Sequence, residues 1–215
     1  MNTSELKRLA RRSQGPAAGA AAARFLERAS AAGLVDVAYG FADSPFGPLL
    51  VAMSKRGVVR LAYPNEAADE VLDDLASQVS PRVLESLGAT DQVRRELDEY
   101  FEGRRRSFSV PADFALSRGF SRRILERTAR IPFGDVATYA QMAEAAGSPR
   151  AARAAGNALG SNPIPIVVPC HRVVHSDGGL GGYTGGIERK VILLRLEGAL
   201  DEGAARPRSP GRPRH

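Results

Sequence analysis

The chain is poor in the residue types that build disulfides and metal sites. It contains one cysteine and three histidines among its 215 residues. A single cysteine excludes an intramolecular disulfide framework and any zinc site made from several cysteines, and it is typical of a reducing compartment. The histidines show no metal-ligand spacing, so we expect no metal site. No apolar run approaches the ~18 residues of a membrane-spanning helix, and we expect a cytoplasmic protein that binds no membrane.

Charge is present in both signs but is unevenly placed. Residues 1–33 carry +4 (six basic, two acidic), and residues 201–215 carry +2 (four basic, two acidic). Residues 34–103 carry −7 (six basic, thirteen acidic), whereas residues 104–200 carry +7 (fourteen basic, seven acidic). Because neutralisation of phosphates dominates sequence-independent affinity for nucleic acid, this polarity favours a nucleic-acid contact on the second half. A solvated basic face without a partner is the alternative on charge alone.

Composition divides the chain into four parts. Residues 1–33 predict a disordered or partly helical leader, since charged residues interrupt any apolar stretch that a secretory signal needs. Residues 34–103 predict a small α/β lobe, and residues 104–200 a mostly helical domain. Residues 201–215, rich in Pro and Arg, predict a disordered tail. The fold class expected is therefore α+β (α/β), with a sheet-and-helix lobe followed by a helical lobe.

The first lobe has the pattern of a sheet with two helices. Alternating β-rich segments are separated by turn signals, and apolar residues at helical spacing follow Asn65 and again Thr90. The strands are predicted near residues 34–42, 49–54 and 58–62. No catalytic constellation is visible here, so we assign this lobe a structural role.

Two short helices with a tight turn between them are predicted in the second lobe. Thr138 and Gln141 form a capping box that opens the first helix, and Gly147 ends it. Ser148 is then expected to cap a second helix, with Pro149 at its first position. Two short helices joined by a glycine-containing turn are typical of a helix-turn-helix.

The second of these helices, which runs to Leu159, is composed mostly of alanine and glycine. Small side chains let a helix backbone approach a partner closely, and Arg150 and Arg153 stand beside them. We therefore favour a helix that faces a nucleic-acid groove. Tight packing against a neighbouring helix is the alternative.

The most specific stretch is residues 164–174, which contains the single cysteine. A buried apolar run punctuated by prolines leads into Cys170, and His171 and Arg172 follow at once. A thiol is nucleophilic as the thiolate, and neighbouring cations lower its pKa from about 8.5 toward neutrality. We interpret Cys170 as a nucleophile; a small buried hydrophobe is the alternative for a lone cysteine.

This stretch resembles the active-site signature of the O6-alkylguanine-DNA alkyltransferase family, a Pro-Cys-His-Arg-Val core preceded by an Asn-Pro turn. The resemblance covers roughly residues 115–198 and, more loosely, residues 34–103. It implies DNA repair by direct damage reversal, in which a methyl or larger alkyl group passes irreversibly from O6 of guanine to the cysteine. It further implies base flipping, a duplex DNA partner carrying O6-alkylguanine, a monomer and no cofactor, with O4 of thymine as a second candidate position from which the alkyl group is removed.

The same resemblance implies roles for individual residues. Cys170 is the nucleophile and alkyl acceptor, His171 is its base through a water, and Glu197 orients His171. Tyr139 donates a proton to the leaving guanine. Arg172 is expected to have a structural ion-pair or backbone-binding role.

Binding residues are implied in two groups. The DNA-contacting group is Arg153, which replaces the flipped nucleotide, together with Tyr139, Ala151 and Ala152 in the minor groove. The pocket group comprises a hinge asparagine, a valine and two residues of the glycine-rich loop over residues 178–186, called the glycine loop below: Asn162, Val173, Tyr183 and Thr184.

Two other classes of protein fit part of the pattern. A damage-binding protein of the alkyltransferase-like class flips alkylated guanine without repairing it, but that class lacks the nucleophilic cysteine. A cysteine hydrolase would pair Cys170 directly with His171. Because adjacent side chains diverge from an extended backbone, that pairing is awkward.

Overall fold

A computed structural model of the chain describes residues 35–201 and residue 207. The predicted leader over residues 1–33 lies outside the described residues, as does the predicted tail apart from residues 201 and 207. No helix in the described part of the chain is long and apolar enough to cross a membrane.

The first lobe is a four-stranded mixed sheet with two helices. The strands lie in the order β3-β2-β1-β4, with β1 antiparallel to β2, β2 antiparallel to β3, and β1 parallel to β4. The elements are β1 (Val37–Ala42), β2 (Leu49–Ser54), β3 (Gly57–Ala62), α1 (Ala68–Gln78), β4 (Val83–Glu85) and α2 (Leu87–Phe101). The expected fold class is confirmed.

The start of α2 differs from the prediction. The helix begins at Leu87 rather than after Thr90, because Ser86 acts as its N-cap and accepts a hydrogen bond from the Ala89 N–H. Thr90 is fully buried inside the first turn, and its hydroxyl donates to the Ser86 carbonyl at 3.0 Å. The first turn, Leu87-Gly88-Ala89, has no apolar periodicity, so the pattern could not reveal it.

The chain remains with the first sheet beyond Gly103. The Val58 N–H donates to the Pro111 carbonyl at 2.9 Å, and the Asp113 N–H donates to the Val58 carbonyl at 2.8 Å. Gly57 permits this approach, since a Cβ there would lie 2.0 Å from the Pro111 carbonyl oxygen. The first residues of the segment that we assigned to the helical lobe therefore lie along the edge of β3.

Helices dominate the second lobe, and two short strands pair in parallel within it. The elements are α3 (Gly119–Thr128), β5 (Ala137–Thr138), α4 (Tyr139–Ala145), α5 (Ala152–Gly160), β6 (Val173–Val174) and α6 (Ile187–Leu196). The capping box of Thr138 and Gln141 is confirmed at the start of α4.

The expected cap of the next helix is wrong. Helix α5 begins at Ala152, three residues after Pro149, and no side chain caps it. Residues 148–151 instead form a turn, in which the Ala151 N–H donates to the Ser148 carbonyl at 2.9 Å. Ser148 and Pro149 are residues typical of turns as well as of helix starts, so the sequence signal was ambiguous.

One hydrophobic core cluster joins the two lobes. It contains residues of β2, β3 and α2 together with residues of α3, α5 and α6. Ile164, Ile166 and Val168 are fully buried in it, so the buried run before the cysteine is confirmed. The second lobe therefore does not pack independently of the sheet.

Candidate active site

Cys170 begins a single 3-10 turn, Cys170–Arg172, directly after the buried run. Its side chain is 4% exposed. Asn162, two residues after the end of α5, holds this turn in place. Its Nδ2 donates to the Val168 carbonyl at 2.9 Å and to Cys170 Sγ at 3.0 Å, while its Oδ1 accepts from the Ile164 N–H at 3.0 Å. One buried amide thus holds both the backbone and the sulfur in place.

The backbone before the cysteine is strained. Ile166 has a φ of +73°, and among the described residues it is the one non-glycine with positive φ. The Val167 N–H donates to the Pro165 carbonyl at 2.9 Å across it. A turn closed by an i to i+2 hydrogen bond at positive φ is rare, and more so at a β-branched residue. The contacts of Asn162 and the buried apolar side chains hold this conformation.

The protonation state of Cys170 differs from the expectation. Burial raises the pKa of the thiol to about 11, and the hydrogen bond from Asn162 and the charge of Lys190 lower it by less. The idea that the adjacent cations lower this pKa toward neutrality is therefore wrong, because desolvation of the anion outweighs them. Cys170 rests as a thiol at neutral pH, so a nucleophilic reaction needs a base.

A buried carboxylate lies behind His171. Glu197 is the C-cap residue of α6, and both it and His171 are almost completely buried. His171 Nε2 lies 2.9 Å from Glu197 Oε1. Burial lowers the pKa of His171 in spite of the glutamate charge, so the ring is neutral at pH 7. The network assigns the proton of the neutral ring to Nε2, facing Glu197. His171 Nδ1 has no hydrogen-bond partner in the described part of the chain, so its lone pair is the basic position.

Glu197 is held as an anion by several donors. Burial opposes its charge, but His171 and Arg172 outweigh that effect and keep the pKa of Glu197 well below its ordinary range. Arg172 donates to both carboxylate oxygens at 2.8 Å and also to the Ile131 carbonyl at 2.5 Å. The structural role expected for Arg172 is thus confirmed.

Tyr100 is a member of this network that the sequence did not reveal. Its hydroxyl donates to Glu197 Oε1 at 2.6 Å. Burial, followed by the charge of Glu197, raises the pKa of Tyr100 well above its ordinary value, so it stays a neutral donor. It belongs to α2 of the first lobe, where it had been counted as a core residue at helical spacing.

A cavity of about 520 Å³ opens beside Cys170. Its lining includes six residues predicted for the site, namely Cys170, Tyr139, Ala152, Arg153, Tyr183 and Thr184. Asn162 and Val173 do not line it, since both are buried behind the cysteine turn. Ala151 also lies outside the lining. A partly open apolar cavity with a few polar groups is typical of a site for a small planar ligand.

Small residues of α5 form one wall of the cavity. Ala152, Gly156 and Gly160 lie four residues apart and all line it. The buried face of the helix, which includes Ala155 and Leu159, packs against the core. Packing against the core is therefore confirmed for the buried face of this helix, and the groove-facing interpretation stays a prediction for the opposite face. Arg153 is exposed at the rim of the cavity.

Tyr139 lines the same cavity close to α5, where a Cβ at Gly156 would lie 3.7 Å from its Cε1. Burial raises the pKa of its phenol, so it is a proton donor at neutral pH. Its hydroxyl reaches the Gly182 carbonyl at 3.5 Å, and the ring of His175 lies on it with a centroid distance of 5.0 Å. A Cβ at Gly181 would lie 2.5 Å from the Tyr139 hydroxyl, so the glycine loop lies against this tyrosine.

Lys190 holds the glycine loop through hydrogen bonds, and sequence reasoning did not find it. A lysine on a helix ordinarily faces solvent. In the structure Lys190 is fully buried and Ile187 is 46% exposed. Its ammonium donates to the Val173 carbonyl at 2.6 Å and also to the Leu180 carbonyl. Burial lowers the pKa of Lys190 to about 8.

The two loop residues predicted for the pocket contact it differently. Tyr183 lines the cavity and meets the His171 ring edge-on, at 6.2 Å between centroids. The Thr184 hydroxyl donates to the Gly160 carbonyl at 2.9 Å, which ties the loop to the end of α5. Within residues 35–201, no group of three His, Cys, Asp or Glu side chains is arranged to hold a metal ion.

Comparison with known families yields two adjacent matches. Residues 37–114 match the ribonuclease-like domain of 6-O-methylguanine DNA methyltransferase, and residues 119–199 match its DNA binding domain. The division between the two domains thus falls between residues 114 and 119, after the segment that runs along β3.

Individual proteins give the same result. The methylated-DNA–protein-cysteine methyltransferases of Mycobacterium leprae and Methanosarcina barkeri are 37% and 35% identical, over 72% and 74% of this chain and 88% and 96% of their own lengths. Among solved structures, the Mycobacterium tuberculosis O6-methylguanine methyltransferase has a TM-score of 0.64 at 36% identity, covering 75% of this chain and 93% of that one. The Mycobacterium tuberculosis OGT in complex with DNA has a TM-score of 0.64 at 35% identity, covering 81% and 96%.

Proposed function

This chain belongs to the 6-O-methylguanine DNA methyltransferase family, and from that premise we propose how its residues divide the work of repair. It binds DNA and repairs it by alkyl transfer, as a methylated-DNA–protein-cysteine methyltransferase. The substrate we propose is duplex DNA carrying O6-alkylguanine, with O4-alkylthymine as a second candidate. We further propose a monomer that acts in the cytoplasm on nucleoid DNA.

Proton removal from the thiol is the first requirement. The proposed acceptor is His171 Nδ1, reached through a water, since this nitrogen carries the free lone pair of a neutral ring. The imidazolium that results is stabilised by the anion of Glu197, 2.9 Å from the opposite nitrogen. This is the nucleophile–base–orienter arrangement of covalent catalysis. Arg172 and Tyr100 keep the carboxylate ionised and fixed in place.

Alkyl transfer then follows as a displacement at carbon. The bond between the sulfur of Cys170 and the alkyl carbon forms as the bond between that carbon and guanine O6 breaks. The guanine leaves with an added pair of electrons and takes a proton at N3 from Tyr139, whose phenol is protonated at neutral pH. The product is a thioether that water does not cleave, so each molecule acts once.

Access to the base requires extrusion from the duplex, at a cost of a few kcal/mol. The cavity beside Cys170 is the proposed binding site of the extruded base, with Tyr183 as a wall against which it stacks. Arg153 stands exposed at the rim on a helix of small residues, where it is placed to enter the duplex as the base leaves. The small side chains of this helix suit entry into the narrow minor groove, which agrees with the role proposed for Arg153.

The observation that carries the proposal is a buried cysteine that lines a base-sized cavity and has a histidine–glutamate pair behind it. A damage-binding protein has no use for this nucleophile. In the described part of the chain, His171 Nε2 pairs with Glu197 and Nδ1 has no hydrogen-bond partner, so no direct thiol–imidazole pair of the hydrolase type is formed.

Intact mass spectrometry tests the proposal directly. The protein is incubated with a duplex containing O6-methylguanine, alongside Cys170→Ala and an unmodified duplex. We expect a stoichiometric gain of about 14 Da, the CH₂ increment, on Cys170 only with the damaged duplex and the unsubstituted protein. Lesion-selective binding without a gain in mass would place the chain among damage-binding proteins. Neither binding nor a gain would leave the family likeness as one of fold.

A further inference from the structure

The first lobe contributes a hydroxyl group to the wall of the cavity. Tyr63 follows directly after β3 and is 2% exposed. Its hydroxyl lies 2.7 Å from the hydroxyl of Tyr183, which is 120 residues away in the chain. Tyr183 lines the cavity and meets the His171 ring edge-on. A residue of the lobe that had been assigned only a structural role therefore reaches the residue that faces the substrate.

The pair of Tyr63 and Tyr183 is also held in place by the charge and the hydrogen bonds of Arg189. The Arg189 guanidinium lies 4.7 Å from the Tyr63 ring centroid. The same guanidinium donates to Asn65 Oδ1 at 2.7 Å and to the Gly185 carbonyl at 2.6 Å. Arg189 thus joins the segment after β3 to the loop that carries Tyr183, and it does so over the face of Tyr63.

The fit between the two segments is close. A Cβ at Gly185 would lie 2.6 Å from Tyr63 Cε2, so the loop backbone rests directly on the Tyr63 ring. Burial raises the pKa of both phenols above the ordinary value, and the bond between them therefore joins two neutral hydroxyls. Tyr63 also packs edge-on against Phe46 at 5.9 Å, which anchors it to the first lobe.

We propose that Tyr63 is a positioning residue for alkyl transfer, which holds the Tyr183 ring in the orientation that the extruded base requires. The inference rests on the proposed function of the cavity and deepens it, because it makes the first lobe part of the substrate site. Tyr63 touches neither the base nor Cys170 in this arrangement. It acts through the Tyr183 hydroxyl and through the loop on which Tyr183 lies.

Tyr63→Phe isolates the hydroxyl, since the ring and its contacts with Phe46, Gly185 and Arg189 are retained. Loss of one neutral hydrogen bond should slow the single-turnover rate of methyl transfer about three- to tenfold at saturating duplex. The Kd for the same duplex should stay within twofold, because the wall acts on the bound base and not on the DNA backbone. Tyr39→Phe is the matched control: Tyr39 lies on β1 of the same lobe and outside the cavity lining, and its rate should equal that of the unsubstituted protein.

A double-mutant cycle separates positioning from general loss of packing. In the Tyr183→Phe background the partner hydroxyl is gone, so Tyr63→Phe should have little further effect on the rate. Equal slowing in both backgrounds would overturn the proposal, and so would an unchanged rate in Tyr63→Phe alone. Thermal unfolding of each variant shows whether a change in rate follows stability.

Failure of this proposal can be told apart from failure of the proposed function. If the unsubstituted protein transfers no methyl group, the proposed function fails and the proposal for Tyr63 fails with it; if it does, only the comparison of variants decides the role of Tyr63. Should Tyr63→Phe not fold, Asn65→Ala at an exposed position loosens the same wall through Arg189. That variant should slow transfer about twofold with unchanged Kd, and a full rate would refute the proposal.

Discussion

Burial of Cys170 makes a quantitative prediction about its reaction with iodoacetamide. Burial raises the pKa of this thiol to about 11. At pH 7 the thiolate is then about one part in ten thousand, whereas an ordinary cysteine with a pKa of about 8.5 is about 3% ionised. From the thiolate fraction alone, native Cys170 should react about 300-fold more slowly than a free cysteine. Its low exposure slows the reaction further.

The pH dependence of the modification rate distinguishes a reaction slowed by low ionisation of the thiol from one slowed by its low exposure. Between pH 7 and pH 10 the rate of modification of the folded protein should rise steadily, without a plateau. The rise should be somewhat less than tenfold per pH unit, because Lys190, with a pKa of about 8, loses its charge in this range and no longer favours the thiolate. In guanidinium the same cysteine should reach half its limiting rate near pH 8.5, its ordinary pKa, and level off about one pH unit higher.

The assay is intact mass after timed quenching, with circular dichroism at each pH to show that the protein stays folded. A plateau of the folded protein below about pH 9.5 would refute the argument that desolvation dominates at this site. It would instead support the simpler idea that the neighbouring cations activate the thiol. The result bears on the mechanism, because a thiol with a raised pKa depends on a base for its reaction.

Two further predictions concern the network behind the cysteine and the DNA contact. Glu197→Gln leaves Arg172 buried without its anion, so the free energy of unfolding at pH 7 should fall by about 3 kcal/mol in urea titrations. Because the pKa of Glu197 is lowered in the folded state, its contribution is present above pH ~4 and is lost as the pH falls through the folded pKa. The difference between the two proteins should therefore shrink at pH 3, and an equal difference at both pH values would contradict the ion-pair account. Arg153→Ala should weaken repair of duplex DNA and leave reaction with free O6-methylguanine largely intact, both measured as methylated protein; equal loss on both substrates would exclude a role in flipping.

The reactive segment could be predicted because its signal is local. Cys170, His171 and Arg172 are adjacent in the chain, and Asn162 stands eight positions earlier in the same short stretch. The Thr138 capping box is likewise a pattern within four residues. Interactions confined to one segment leave their trace in residue order and spacing; the structure confirms the capping box and brings Asn162 to Cys170, while the catalytic roles stay predictions.

Contacts between distant segments left no such trace. Tyr100 and Glu197 are 97 residues apart, and Tyr63 and Tyr183 are 120 apart. Nothing in the local pattern around Tyr100 or Tyr63 pointed to a partner so far along the chain. Lys190 was not found for a related reason, since a lysine on a helix ordinarily faces solvent and the carbonyls that its ammonium binds come from other segments.

By itself, the sequence determined the two-lobe α+β class and the family to which the chain belongs, and it predicted Cys170 as the nucleophile. The tertiary structure decided the state in which these groups work. The pKa of Cys170 depends on how much water the folded chain removes from the sulfur, and the shape of the cavity depends on where Tyr63, Lys190 and Thr184 fix the glycine loop. Desolvation and long-range hydrogen bonds depend on residues that folding brings together from distant parts of the chain. They therefore cannot be predicted from the order of neighbouring residues.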